Sequence, residues 1–218
     1  MTYTFDHNLF LWLNFDGGEF FDSLMLAASN PLAWSWLYIL ILYFVWEKSS
    51  WKGIALFIVA TGWALHKRKW IGIALFIIIA GMALGMSDLI AGIFKHSGPL
   101  KHLWASFPAR LRPMHTPELQ DMIHFITRGG KYGTVSAHAA TTMALAVVSS
   151  TFVRRWWMIV AMVAMTLIIC YSRIYLAYHF PFDILLGLIT GLCSIGISIY
   201  IVKGATWCWG KLKANRNQ

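Results

Sequence analysis

Arg173, His179 and Asp183 stand close together in the stretch Ser172-Arg173-Ile174-Tyr175-Leu176-Ala177-Tyr178-His179-Phe180-Pro181-Phe182-Asp183. This stretch lies between two apolar runs, residues 156–171 and 184–202. A fixed cation, an imidazole and a carboxylate therefore meet at one membrane edge. Ionisable groups are costly there unless they are paired or face a polar cavity, which marks the stretch as a functional site. Pro181 suits the first position of a helix, and a residue before proline avoids helical geometry. His179 and Phe180 should thus lead into the last helix, with Asp183 in its first turn and within reach of a ring nitrogen of His179. A histidine oriented by a carboxylate acts as a nucleophile or a base. Arg173 adds a planar fork suited to phosphate oxygens. The competing reading makes the same residues helix caps whose long side chains snorkel to the headgroups.

The pattern Ser-Arg, five residues, His, three residues, Asp resembles the third signature of the type-2 phosphatidic acid phosphatase superfamily, and the match is complete. The resemblance implies that His179 attacks phosphorus and becomes phosphorylated, that Asp183 orients it, and that Arg173 holds phosphate.

A second cluster, Val135-Ser136-Ala137-His138, falls at the start of a helix. Free backbone N–H groups and the positive end of the dipole suit an anion there. Ser136 can add a hydroxyl, and His138 can protonate a leaving oxygen if it titrates near the operating pH. A capped helix start with a satisfied histidine is the plainer alternative. The cluster is similar to the family's second signature, Pro-Ser-Gly-His, with Val135 and Ala137 departing from it. Ser136 and His138 carry over, and the backbone N–H of Ala137 stays available for phosphate. The first signature, a lysine, six intervening residues, then Arg-Pro, is represented by Arg112-Pro113. Its lysine position falls on Ala105, so Lys95, after a lengthened loop, is the preferred phosphate ligand and Lys101 its rival.

What must position these groups is a set of membrane helices. The 218-residue chain is 58% hydrophobic and 12% charged, and several apolar runs approach bilayer length. One domain over residues 1–218 is expected: an all-α, polytopic helical bundle of about five to six spans. The net charge of +9 sits mostly in short loops and the tail, which is a topology signal and not a nucleic-acid surface. Cys170, Cys193 and Cys208 form neither a disulfide framework nor a zinc pattern. No cleavable leader is evident, so the first span should direct insertion.

In chain order, residues 1–30 should form interfacial helices split at Gly17-Gly18, a packing segment without chemistry. Residues 31–46 form a short first span. An echo at a nineteen-residue offset relates Trp51 to Phe57 with Trp70 to Phe76, and the first copy, 53–65, reads as re-entrant or interfacial. Residues 70–94 are a strong span, 95–133 an extracytoplasmic cap, and 134–202 the catalytic helices. The span 134–153 is rich in Ala, Ser and Thr, which suits close packing inside a bundle. Placing residues 66–69, Arg154-Arg155 and the basic tail in the cytoplasm gathers the cap, His138 and His179 on the opposite face. That reading sets the protein in an inner membrane with an extracytoplasmic site.

The resemblance implies a phosphatase whose partners are the bilayer and a lipid phosphate, and with no acidic cluster or Cys/His ligand set near the site in the sequence no metal or other cofactor is expected. Undecaprenyl diphosphate is the leading substrate, with lipid A close behind. A transporter or flippase, and an inactive lipid-phosphate-binding homologue, are the rival classes. The clustering of ionisable residues at one edge instead of the midplane disfavours transport.

Overall fold

A computed structural model describes residues 5–48, 67–94 and 109–215. Seven α-helices are found among them: α1 Phe5–Leu13, α2 Gly18–Ser29, α3 Ser35–Lys48, α4 Lys67–Phe94, α5 Ala137–Val153, α6 Trp156–Tyr175 and α7 Pro181–Asn215. The all-helical bundle expected from composition is the fold. Three of these helices are long and apolar enough to cross a membrane, with spans at Phe76–Phe94, Trp156–Tyr175 and Pro181–Ala205. α5 is apolar but only 17 residues long, about 25 Å at 1.5 Å per residue. α2 and α3 together make a further candidate, bent by 75° at their junction.

That bend has a local cause. Asn30 leaves α2 in extended geometry and its side chain accepts from Leu32 N, opening a 3-10 turn at Pro31–Trp34. Pro31 has no N–H to continue α2. The first span therefore begins as regular helix at Ser35 and not at residue 31. At the other end α7 runs on to Asn215, past the expected limit at residue 202. Lys211, Leu212, Lys213 and Ala214 all favour helix, so nothing in the tail's sequence breaks it. The segment 53–65 lies outside the described residues.

α5 is the centre of the bundle, packed against α3, α4, α6 and α7. Its small residues Ala139, Ala140, Ala144 and Ala146 are buried, which lets neighbouring backbones approach closely. α7 supplies the matching surface. A Cβ at Gly187 would lie 2.5 Å from the Ser136 carbonyl oxygen, and one at Gly191 would lie 2.4 Å from that of Ala140. Gly187 and Gly191 are four residues apart, so both face α5 from one stripe of α7. Below this contact Leu37, Ile41, Phe76, Ala83, Met158, Met162 and Ile169 fill the apolar core.

The succession of antiparallel helices puts the starts of α5 and α7 and the end of α6 at one end of the bundle. Phe76 of α4 packs on Phe152 near the end of α5, and Glu47 of α3 pairs with Arg155. The Arg154-Arg155 turn and the start of α4, with its basic residues, thus share the opposite end. The charge pattern of the sequence has the same polarity. Residues 109–133 cover the site end without regular helix beyond two 3-10 turns, Pro113–His115 and Pro117–Leu119.

Candidate active site

α6 stops without a glycine. Ala177 takes the left-handed conformation, φ 54°, normally filled by glycine. Tyr178 N donates to Arg173 O at 2.9 Å and Ala177 N to Ile174 O at 2.9 Å, the double closure of a Schellman motif. His179 N also donates to Arg173 O, at 3.2 Å. The helix end thereby delivers Tyr178 and His179 to fixed positions, and Pro181 starts α7 as expected.

His179 is fully buried. Its Nδ1 lies 2.8 Å from the carbonyl oxygen of Gly133. A carbonyl only accepts, so Nδ1 carries the proton and Nε2 carries the lone pair. The Asp183 carboxylate is 3.6 Å from the same Nδ1, beyond hydrogen-bond distance. The contact expected of Asp183 is thus an approach of charge and not a hydrogen bond. Asp183 instead accepts from Phe180 N at 3.0 Å and lies 3.4 Å from Arg110 Nη1. Its carbonyl takes Ser136 N at 3.1 Å, tying the start of α7 to the start of α5.

Gly133 belongs to a short antiparallel pairing of the cap. Arg112 N donates to Lys131 O and Gly133 N to Arg110 O, around a bridge between Leu111 and Tyr132. A Cβ at Gly133 would meet Arg112 Cγ at 2.7 Å and His179 Nδ1 at 3.3 Å. Only glycine lets this carbonyl reach the histidine.

Arg173 and Arg112 share Tyr178. The Arg173 guanidinium carbon is 4.0 Å from the ring centroid and that of Arg112 is 5.2 Å away. Tyr178 Oη is fastened to Thr127 Oγ1 at 2.8 Å. Arg112 Nε donates to Tyr132 O, and burial holds its guanidinium below the usual arginine range. Arg173 is 8% exposed, and its Nη1 donates to Ser29 Oγ. Its buried Nε has no partner among the described residues. Two like charges on one ring, with a buried donor left over, form a site that an anion would complete.

Ser136 is the N-cap of α5, its hydroxyl accepting from Ala139 N at 3.4 Å. The hydroxyl hydrogen and the N–H of Ala137 stay at the mouth of the helix. His138 is half-buried in the first turn, and its carbonyl takes Thr142 Oγ1 at 2.7 Å. Lys95 and Lys101 lie outside the described residues.

Besides Gly133, two contributors were not recognised in the sequence. Arg110 bridges Asp183 and Asp6, and its guanidinium carbon sits 3.8 Å over the Phe180 ring. Asp6, in a segment read as having no chemistry, is 5% exposed and also accepts Phe182 N at 3.0 Å. The spacing Arg110-Leu111-Arg112 was the available signal, since alternate residues of an extended strand share a face. Asp6 carried no signal beyond its place in a first turn. His115 and His124 hold loops: His115 Nε2 meets Gly129 O at 2.9 Å, and His124 Nε2 meets Asp22 at 2.8 Å. Asp16, Asp22 and His124 bring ligand-type atoms within 4.8 Å of one another, an acidic grouping the sequence spacing did not reveal.

The chain is similar to known proteins. The family model described as PAP2 superfamily matches residues 70–207. A lipid A 4'-phosphatase of Porphyromonas gingivalis is 31% identical over 202 residues, covering 90% of this chain and 72% of that protein. A lipid A 4'-phosphatase of Bacteroides thetaiotaomicron is 30% identical over 190 residues, covering 85% and 72%. Among solved structures, that of Aquifex aeolicus LpxE superposes with a TM-score of 0.60 at 17% identity, covering 91% of this chain and 96% of that one, a likeness of fold. A complete third signature, a buried histidine beside paired arginines and these matches have one reading: the chain belongs to the PAP2 superfamily, as an integral membrane phosphatase.

Proposed function

We propose that this phosphatase removes the 4'-phosphate of lipid A, by a phosphohistidine intermediate, at the extracytoplasmic face of an inner membrane. The names of the two relatives support lipid A over undecaprenyl diphosphate, the leading expectation from sequence. The observation that carries the chemistry is His179, whose Nδ1 is held by Gly133 O so that Nε2 bears the lone pair.

Phosphoryl transfer needs positioning and charge stabilisation above all. Arg112, Arg173, the Ser136 hydroxyl and the Ala137 N–H hold the non-bridging oxygens, with Lys95 as a further ligand. His179 Nε2 attacks phosphorus in line, and the bond to the sugar oxygen breaks. His138 gives that oxygen its proton. The ring, now bonded at Nε2 and protonated at Nδ1, is cationic, and Asp183 at 3.6 Å offsets its charge. Water then attacks phosphorus, giving a proton to His138, and inorganic phosphate leaves with Nε2 regaining its lone pair. The segregation of basic residues to the far end of the bundle supports the assignment of faces.

The test is phosphate release in EDTA by detergent-purified protein, with lipid A, undecaprenyl diphosphate, phosphatidylglycerophosphate and phosphatidic acid compared. Lipid A should be preferred, its product lacking the 4'-phosphate by fragment mass spectrometry, and His179→Ala should be inactive. Preference for another lipid overturns the substrate. Release by His179→Ala overturns the intermediate. Loss of turnover in EDTA, restored by a divalent ion, overturns the metal-free scheme.

A further inference from the structure

The three arginines of the site do not share one environment. Arg112 and Arg173 converge on Tyr178, where the buried Arg173 Nε has no partner among the described residues. Arg110 lies on Phe180 and is neutralised from two sides, by Asp6 at 2.5 Å and Asp183 at 3.4 Å. Asp6 belongs to α1, and its second oxygen takes Phe182 N at 3.0 Å. Phe10, one helical turn along α1, packs edge-on against the same Phe180 ring at 5.3 Å.

We infer that Asp6 and Arg110 are positioning residues: α1 and Arg110 form a clamp that holds the Asp183 carboxylate aimed at His179, and Arg110 is not a phosphate ligand. This assignment rests on the proposed phosphohistidine reaction. The physical reason is the burial of Asp183, which is 1% exposed. A buried carboxylate keeps its charge only if a cation and hydrogen bonds compensate it. Phe180 N supplies a hydrogen bond and Arg110 the cation. Arg110 is itself fixed by Asp6, since its side chain is 31% exposed and its fork would otherwise follow solvent. With two carboxylates already on it, Arg110 has little charge to offer a phosphate dianion, which Asp6 and Asp183 would repel.

The two roles separate in kinetics and in ligand binding. Arg110→Gln should lower kcat about 30-fold with KM within about 2-fold, because the lost interaction acts on the reacting histidine and not on bound substrate. Orthovanadate, a phosphate analogue, should inhibit Arg110→Gln within about 2-fold of the unaltered protein, whereas Arg112→Gln should weaken inhibition at least about 10-fold. In an Asp183→Asn background the same Arg110→Gln change should cost less than about 3-fold, since residues acting as a unit are not additive. Asp6→Asn should follow Arg110→Gln in direction, and Arg110→Lys should recover part of kcat.

A rise in KM and in the vanadate constant on Arg110→Gln would make Arg110 a phosphate ligand and overturn the assignment. So would additive losses in the Asp183→Asn background. If turnover of the unaltered protein does not need His179, the reaction itself is wrong, and that outcome is read from His179→Ala independently of these variants.

Discussion

The main-chain oxygen of Arg173 accepts the amide hydrogen of His179 at 3.2 Å, while the Arg173 side chain projects to Tyr178 and Ser29. One residue thus fixes the backbone of the proposed nucleophile and supplies a charge for the group it attacks. The distance between the proposed attacking atom and the Arg173 part of the proposed phosphate cradle is set within a single helix end, which is the kind of preorganisation phosphoryl transfer rewards.

Arg173→Lys should keep the helix end intact and damage only the cradle. The main-chain closure does not depend on the side chain, but the planar fork and its contact with Tyr178 are lost. The expected result is a KM or vanadate constant raised on the order of 30-fold, about 2 kcal/mol, with thermal stability in detergent nearly unchanged. A large fall in Tm with an unaltered vanadate constant would contradict it.

Ala177 is the strained part of the same turn. A methyl group tolerates φ 54° at a modest cost, but a β-branched side chain is a genuine outlier there. Ala177 is also fully buried. Ala177→Val should destabilise the protein by about 2 kcal/mol or more and lower kcat, since Tyr178 and His179 move with the turn. Ala177→Gly relieves strain and removes one buried methyl, so its Tm should stay within a few degrees. Thermal unfolding followed by tryptophan fluorescence, with kcat measured alongside, distinguishes the two.

Gly187 lets α7 approach the start of α5, which carries Ser136 and His138. The Cβ of alanine would be 2.5 Å from Ser136 O and 2.8 Å from the Cβ of Ala139, so the helices must separate. Gly187→Ala should cost about 1–3 kcal/mol and reduce kcat, because Ser136 and His138 are carried by the displaced end. Gly196, where an added Cβ meets nothing within 4 Å, is the control. Gly196→Ala should be neutral or slightly stabilising, by less than about 1 kcal/mol. Equal effects at both positions would mean that close approach is not what Gly187 provides.

The legible parts of the site were those in which chemistry and chain order coincide. The ladder from Arg173 to Asp183 is local, and Pro181 announces the helix start that organises it. The Ala- and Thr-rich run that became α5 declared its central place by small side chains alone. Arg110 and Asp6 were opaque because their meeting joins positions 104 residues apart, through a loop whose course no periodicity encodes. Gly133 was opaque for another reason: its function is a carbonyl, which every residue has, and only the proximity of Arg112 Cγ reveals why a side chain is forbidden. α6 runs on to Tyr175, past the apolar run that ends at residue 171, and its stop carried no signal because alanine holds a position where glycine would have marked it.

His7 gives the docking of α1 a pH dependence of predictable sign. Its ring packs against Phe180 at 4.8 Å, and burial, with the Arg110 charge adding to it, holds its pKa below 6.5, the value of a free histidine. Asp6 and Glu118 oppose that shift without reversing it. The docked state therefore prefers neutral His7, and the undocked helix takes up the proton first as pH falls. Stability from this group is fully present above pH 6.5 and is lost as pH falls from there through the depressed value of the docked state. His7→Phe keeps the ring against Phe180 and removes the titration. It should flatten the decline in Tm between neutral and mildly acidic pH relative to the unaltered protein. A steeper acid decline in His7→Phe would mean that protonated His7 favours docking, the opposite sign.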